Sequence, residues 1–506
     1  MTEQPDPVTP DLVTIVIAGG GSAGWMTAAA LGRFLETGYR IRLVESEEIG
    51  TVGVGESTIP QIRLFNEALG LDEDAFVRAT QATFKLGIEF DGWSRPGERY
   101  MHAFGAVGRD VGLIAFQHYW LRARRLGLAK SLDHYALNEL AARGHKMHRG
   151  APLTGAAIPA VPYAFQFDAG LYAAWLRRFA ELRGVARTEG KVVEVIRDGE
   201  SGDVAALLLE SGERVAGDIF IDCTGFRGLL IEQTLESGFE DWSHWLPCDR
   251  ALAVPSASDG ALTPYTRARA LTAGWQWRIP LQHRVGNGHV YASSHLSDDE
   301  ATAMLLANLD SEPLADPRPL RFKAGRRKRA WERNVIAIGL SSGFLEPLES
   351  TSIHMIQSAI SRLLKLMPGR HVAAADRDEY NRQTDFEIER IRDFLILHYH
   401  ANARDEPFWQ ACRTMALPET LTRKIVLFQA NGNIVREHEE LFTEVGWLQV
   451  LIGQGVIPQG YHPLADQIER GELGEFMETI ELLYAREASR MPGHAEFIAR
   501  HCAAPQ

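Results

Sequence analysis

Cysteine is scarce in this chain. There are four in 506 residues, Cys223, Cys248, Cys412 and Cys502, with no C-x-x-C pair and no metal-binding spacing. That argues against a disulfide scaffold or a zinc ribbon, so no metal is expected, and it predicts reduced thiols in a cytoplasmic protein. Long apolar runs are missing as well. No stretch approaches the ~20 residues needed to span a bilayer, so no membrane partner is expected, and the polar residues 1–10 do not read as a signal peptide. Positive charge is in deficit: 53 Lys and Arg stand against 66 Asp and Glu, a net charge of −13, which argues against nucleic acid as a partner. Repeats and low-complexity segments are absent. What remains is ordinary globular composition, 45% hydrophobic and 24% charged, in a chain long enough for two or three core-bearing units.

Against that background one local pattern stands out. Thr14-Ile-Val-Ile-Ala18 reads as a buried strand and runs into Gly19-Gly-Gly-Ser-Ala-Gly24. A helical stretch over 25–35 follows, then a second apolar strand, Ile41-Arg-Leu-Val44, that ends at Glu45. Strand, G-x-G-x-x-G, helix, strand and acid together form the dinucleotide fingerprint. Gly19 permits the tight turn, Gly21 lets the backbone approach a pyrophosphate, and Gly24 lets helix and strand pack closely. Ser22 and Ala23 lie within the loop ahead of the helix, whose N-terminus faces the phosphate charge. Glu45 is placed to bind a ribose diol.

Further α/β segments follow. Residues 191–196, 204–209 and 214–216 read as a meander. Strands over 218–222 and 334–338 end in Cys223-Thr-Gly-Phe-Arg-Gly228 and in Gly339-Leu-Ser-Ser-Gly343. These patterns predict an α/β fold, α+β overall. A Rossmann-like nucleotide unit is assembled from 11–100, 186–235 and 320–368, a substrate-side β-sheet unit is inserted from 101–185 and 236–319, and a helical cap covers 369–506. Trp275–Ile279 and 289–293 are expected to pair as a hairpin around a Gly286-Asn-Gly288 turn.

Three features carry candidate chemistry. Ser350, Thr351 and Ser352 precede a helix with Ile353, Ile356, Ile360, Leu363 and Leu364 on one face. They are N-cap residue types, with Glu349 directly before them. Such a start is either plain capping, with Glu349 compensating the dipole, or a place where free N–H groups hold an anion such as a halide. Lys85, in Phe84-Lys-Leu-Gly-Ile-Glu-Phe90, either faces solvent from a strand or is buried, with a lowered proton affinity that permits catalysis. Trp275 and Trp277 share a strand face, as a core pair or as a wall between a flavin and a substrate channel.

These motifs, in this order, resemble the flavin-dependent halogenases of the tryptophan-halogenase family over nearly the whole chain. Residues 19–24 look like the FAD pyrophosphate loop. Gly53-Val-Gly-Glu-Ser-Thr-Ile-Pro60, with Gly55, looks like the segment beside the flavin ring. Lys85 matches the essential lysine, Gly274-Trp-Gln-Trp-Arg-Ile-Pro280 fits the signature G-W-x-W-x-I-P in full, and Glu349 with Ser350 matches the glutamate–serine pair at the substrate site.

The resemblance implies an oxidoreductase that uses reduced FAD, O₂ and chloride or bromide to make hypohalous acid. Lys85 and Glu349 then direct that acid onto an aromatic ring. It further implies FAD contacts from Gly19, Gly21, Ser22, Ala23, Gly24, Glu45, Gly55 and Gly339, and halide held by the Thr351 and Ser352 N–H groups. Trp275 and Trp277 partition flavin from substrate, while His102, Phe104, Trp447 and Ser350 contact the substrate. Members acting on free tryptophan grip its amino and carboxylate groups with a tyrosine pair followed by a glutamate. No Tyr-Tyr pair occurs between Glu440 and Tyr461, so indole or another electron-rich ring is the expected substrate. The chain lacks a second nucleotide loop, which implies a separate NAD(P)H-dependent flavin reductase as transient partner to this monomer or homodimer. The alternatives are a flavin monooxygenase that inserts oxygen, or an FAD-dependent reductase of the same fold.

Overall fold

The computed structural model describes residues 12–49 and 55–505; Gly53 and Val54 of the flavin-side segment lie outside them. The nucleotide pattern folds as a parallel sheet. Val13–Ala18 lies between Tyr39–Glu45 and Ile219–Asp222, with Ile15 paired to Ile41 and to Ile219. Val335–Ala337 and Ala186–Glu189 extend it in parallel on either side, and Trp331–Glu332 closes one edge antiparallel. A strand buried on both faces must be apolar on both. Here Ile15 and Ile17 turn into the main core, which includes the helix Ser22–Phe34, while Val16 and Ala18 pack with Val204, Leu207 and Val215 of the antiparallel meander Val192–Arg197, Val204–Leu209 and Arg214–Ala216.

The second large sheet has seven strands, ordered Arg318–Arg321, Arg250–Ser256, Val285–Tyr291, Gly274–Pro280, Thr266–Leu271, Gly87–Asp91 and Arg99–Ala103. Contacts cross the boundaries drawn between the expected units. Gly87–Asp91, drawn within the nucleotide unit, is hydrogen-bonded to Thr266–Leu271 in the large sheet. The helix Ala169–Glu181, drawn within the inserted unit, packs against Ser22–Phe34. Beyond residue 370 the chain is helical, with Ala374–His400 as its longest element.

The hairpin forms, but its turn does not lie at 286–288. Those glycines stand inside the strand Val285–Tyr291, which pairs Gly288 with Trp277, and the chain reverses at 281–284. They serve close approach instead of reversal. A β-carbon on Gly288 would stand 2.0 Å from the Trp277 ring, and one on Gly286 would stand 3.2 Å from the Gly55 nitrogen. All four cysteines are buried and unpaired, and among the described residues no helix is long and apolar enough to cross a membrane.

Candidate active site

The glycine loop has the shape that a dinucleotide needs. Gly19 adopts φ +108°, and a β-carbon there would stand 2.3 Å from the Cys223 carbonyl oxygen; one on Gly24 would stand 1.9 Å from the Gly19 carbonyl oxygen. Gly21, by contrast, meets nothing within 4 Å. It leaves open space over backbone N–H groups at the start of a thirteen-residue helix, where a pyrophosphate is best stabilised. Glu45 reaches back over Gly20 and accepts from Trp25 Nε1 at 3.3 Å and from Arg187 Nε at 2.6 Å. Gly339, at φ +78°, closes against Ala23 and Ile356. Gly55 stands apart from this cradle, beside Ile279, Leu281 and Gly286 of the hairpin. The donor set and the open cradle fit FAD.

Ile356 links this cradle to the second cluster. It lies in the helix Ser352–Lys365, whose N-terminus carries 349–352. Five helical steps lead from Thr351 to Ile356, about 8 Å along the axis. The capping interpretation of this start does not survive. Thr351 occupies the N-cap without a side-chain capping bond, and its Oγ1 is buried with no hydrogen-bond partner among the described residues. Ser350 is held at φ +58° after the short turn Pro347–Glu349, and its hydroxyl turns instead to Lys85.

Lys85 is fully buried, not solvent-facing. Its strand, Thr83–Lys85, pairs with Ala164–Asp168, and both faces are covered. Phe84 packs on Tyr163, Phe165 and Phe497, while Lys85 Nζ donates to Ser350 Oγ at 2.7 Å and lies 5.5 Å from the centre of the Phe104 ring. Burial pulls the ammonium down to about 7 against the opposing attraction of Glu349.

Glu349 is clasped by two imidazoles. His102 Nδ1 hydrogen-bonds its Oε2 at 2.8 Å, and His398 Nε2 lies 2.8 Å from Oε1 as a close ion-pair contact. Burial alone would raise this carboxyl; the two histidines outweigh it and hold the group down to about 2. Gly446 gives His102 its room, since a β-carbon there would stand 2.9 Å from His102 Nε2. The next residue, Trp447, is buried edge-to-face on Phe394, with the Lys424 ammonium 5.1 Å from its ring centre. Trp275 and Trp277 have ring centres 6.0 Å apart, and Trp275 Nε1 donates to Glu346 Oε2 at 2.9 Å.

Lys85, Phe104, His102, Glu349 and Ser350 therefore meet in one buried cluster, with Trp447 beside it, while the glycine loop forms a separate cradle. Sequence reasoning missed His398, Glu346 and Tyr399. The only available signals were the Glu-Pro-Leu-Glu spacing and the His-Tyr-His end of a long helix.

The sequence profile described as Tryptophan halogenase matches residues 14–470. The tryptophan 7-halogenase RebH of Lentzea aerocolonigenes is 34% identical over 489 residues, covering 89% of this chain and 91% of that protein. A flavin-dependent halogenase from Xanthomonas campestris superposes with a TM-score of 0.94 at 50% identity over 98% of this chain and 99% of its own. BrvH, a flavin-dependent halogenase from Brevundimonas sp. BAL3, gives 0.94 at 47% over 98% and 100%. The chain belongs to the tryptophan-halogenase family, the flavin-dependent enzymes that halogenate aromatic rings.

Proposed function

We propose that this enzyme halogenates an electron-rich aromatic such as indole, with Lys85 and Glu349 acting on the halogen donor and the ring. The observation that carries the reading is the buried Lys85 ammonium on Ser350, beside a carboxylate that two imidazoles keep ionised. FAD, reduced by a separate reductase and held at 19–24, Glu45 and Gly339, supplies the oxidising equivalents from O₂ that turn chloride or bromide into hypohalous acid. Halide is held by the Thr351 and Ser352 N–H groups, at the positive end of a fourteen-residue helix. Lys85 then either donates a hydrogen bond to the hypohalous acid as the ammonium or carries the halogen as a haloamine. Near its midpoint at neutral pH, it can adopt either form. Glu349 polarises the halogenating species or takes the proton from the cationic ring, which restores aromaticity. His102, Phe104 and Trp447 hold the ring, and Trp275 and Trp277 keep it from the flavin.

Free tryptophan is disfavoured by the stretch after Glu440. Between Glu440 and Tyr461 there is no Tyr-Tyr pair to grip the amino and carboxylate groups of an amino acid. The test is incubation with a flavin reductase, FAD, NADH, O₂, bromide and indole, read by mass spectrometry. Bromoindole supports the reading. A hydroxylated product without bromine overturns it in favour of a monooxygenase.

A further inference from the structure

Glu346 and Glu349 lie three residues apart around one turn, and both are fully buried. Consecutive residues of the helix Ala374–His400 meet them, Tyr399 at Glu346 and His398 at Glu349. The two carboxyls have the same chemistry but opposite surroundings.

Glu346 has only neutral partners. Its Oε2 accepts from Trp275 Nε1 at 2.9 Å and from Tyr399 Oη, while Oε1 has no hydrogen-bond partner among the described residues. The other titratable groups around it are Cys248, whose Sγ lies 3.6 Å from Tyr399 Oη, and Cys412. Burial pushes both thiols above their ordinary range, so neither is an anion or a cation here. An ionised Glu346 would bury a charge with one oxygen unsolvated, which is costly. A carboxylic acid lowers that cost: both donors remain on Oε2, and Oε1 carries a proton in place of an uncompensated charge. In keeping with this geometry, burial raises the group to about 7, against the hydrogen bonds from Tyr399 and Trp275.

Glu349 faces His102, His398, Lys85 and Tyr100. The ring of His398 fixes its own proton count. Its Nδ1 lies 2.8 Å from the Phe394 carbonyl oxygen, which can only accept, so Nδ1 carries hydrogen. Its Nε2 lies 2.8 Å from Glu349 Oε1 in an ion-pair contact whose angles do not make a hydrogen bond, and two lone pairs facing each other at that distance would repel, so one of the two atoms carries a proton. With Glu349 as the carboxylate, His398 is the imidazolium.

We propose that His398 and Tyr399 sort the protonation of the two glutamates: Glu349 is held ionised against a His398 imidazolium, and Glu346 stands as a neutral acid that anchors the Trp275 indole. The pair then contains a single carboxylate base, and the Trp275 anchor persists while the base cycles. His398, Tyr399 and Glu346 are positioning residues. That the base is catalytic rests on the reading above; the two protonation states do not.

The test is infrared difference spectroscopy of the full chain near pH 6, without flavin or halide. The wild type shows C=O stretches of buried carboxylic acids that fade as pH rises through about 7, from Glu346 and also from Glu56 and Glu139, which burial raises likewise. Glu346→Gln removes one component of that absorption and Glu349→Gln retains every component. In turnover, Glu346→Gln, isosteric with the neutral acid, keeps the wild-type ratio of product to hydrogen peroxide, and Glu346→Ala loses it several-fold. His398→Gln moves the acid limb of the pH–rate profile up by about one unit. A wild-type spectrum with no component that Glu346→Gln removes, or a component lost in Glu349→Gln instead, overturns the proposal, as does an unmoved profile in a folded His398→Gln. Because the spectrum is read without turnover, an intact band with no halogenated product would overturn the proposed reaction alone.

Discussion

Replacing Glu349 with glutamine tests the centre of the mechanism, because the substitution changes charge and almost nothing else. The amide fills the same volume between His102 and His398, whose nitrogens each lie 2.8 Å from the present carboxylate. Two consequences follow. The base is lost, which for a positioned proton acceptor is worth about 10²- to 10⁴-fold in rate, or about 3–5 kcal/mol of barrier. Lys85 also loses the anion that opposes its desolvation, so its proton affinity falls further below about 7 and the neutral amine dominates at neutral pH. His102, Phe104 and Trp447 stay in place, so KM for indole changes by no more than about threefold. The assay is steady-state bromoindole formation at neutral pH with reductase in excess, repeated with ring-deuterated indole. We expect kcat to fall at least about a hundredfold and a primary isotope effect to appear, because C–H cleavage becomes rate-limiting. A kcat within about fivefold of the wild type would refute the assignment. A large fall without an isotope effect would leave Glu349 polarising the halogen donor and remove its role as proton acceptor.

The other predictions concern packing, cofactor and pH. Gly288→Ala places a carbon 2.0 Å from the Trp277 ring and 2.5 Å from the Leu252 carbonyl oxygen, so urea unfolding should show a loss of about 1–3 kcal/mol. Gly199→Ala, where the added carbon meets nothing within 4 Å, is the matched control, and equal stability of the two variants would contradict the close-packing account. Glu45→Ala removes the carboxylate proposed to accept from the ribose diol and should weaken FAD binding roughly ten- to a hundredfold; flavin-fluorescence titration giving a Kd within about twofold would remove that role. Lys85→Met bears on stability against pH. The folded-state value of Lys85 is about 7, below the 10.5 of the free side chain, so between these values the unfolded chain binds the extra proton and wild-type stability rises with pH. The methionine variant lacks that rise, and any advantage it holds at pH 7 shrinks as pH increases; parallel stability–pH curves would show that Lys85 is not desolvated.

The shape of the cradle was legible because it is written into one short βαβ unit. Gly19, Gly21, Gly24 and Glu45 do their work through backbone and side chains within a few turns of one another, so spacing alone carries the information. The reaction cluster has no such grammar. Lys85 meets Ser350 across 265 positions and His102 meets Glu349 across 247, and only resemblance to a family brought them together beforehand. Local rules also misled where one residue type serves two physical ends. Glycine permits reversal and close approach alike, so Gly286 and Gly288 read as a turn when their function is to admit Gly55 and the Trp277 ring. Ser and Thr before a helix imply capping, yet Ser350 bonds Lys85 and the Thr351 hydroxyl caps nothing. The glutamates of Glu-Pro-Leu-Glu make the limit sharper still. No property of that tetrapeptide distinguishes Glu346 from Glu349, because the difference lies in what the fold brings against each. An indole and a phenol leave the first without a counter-charge, and two imidazoles supply one to the second. Protonation state here is therefore a tertiary property, set by which residues of a distant helix face the turn.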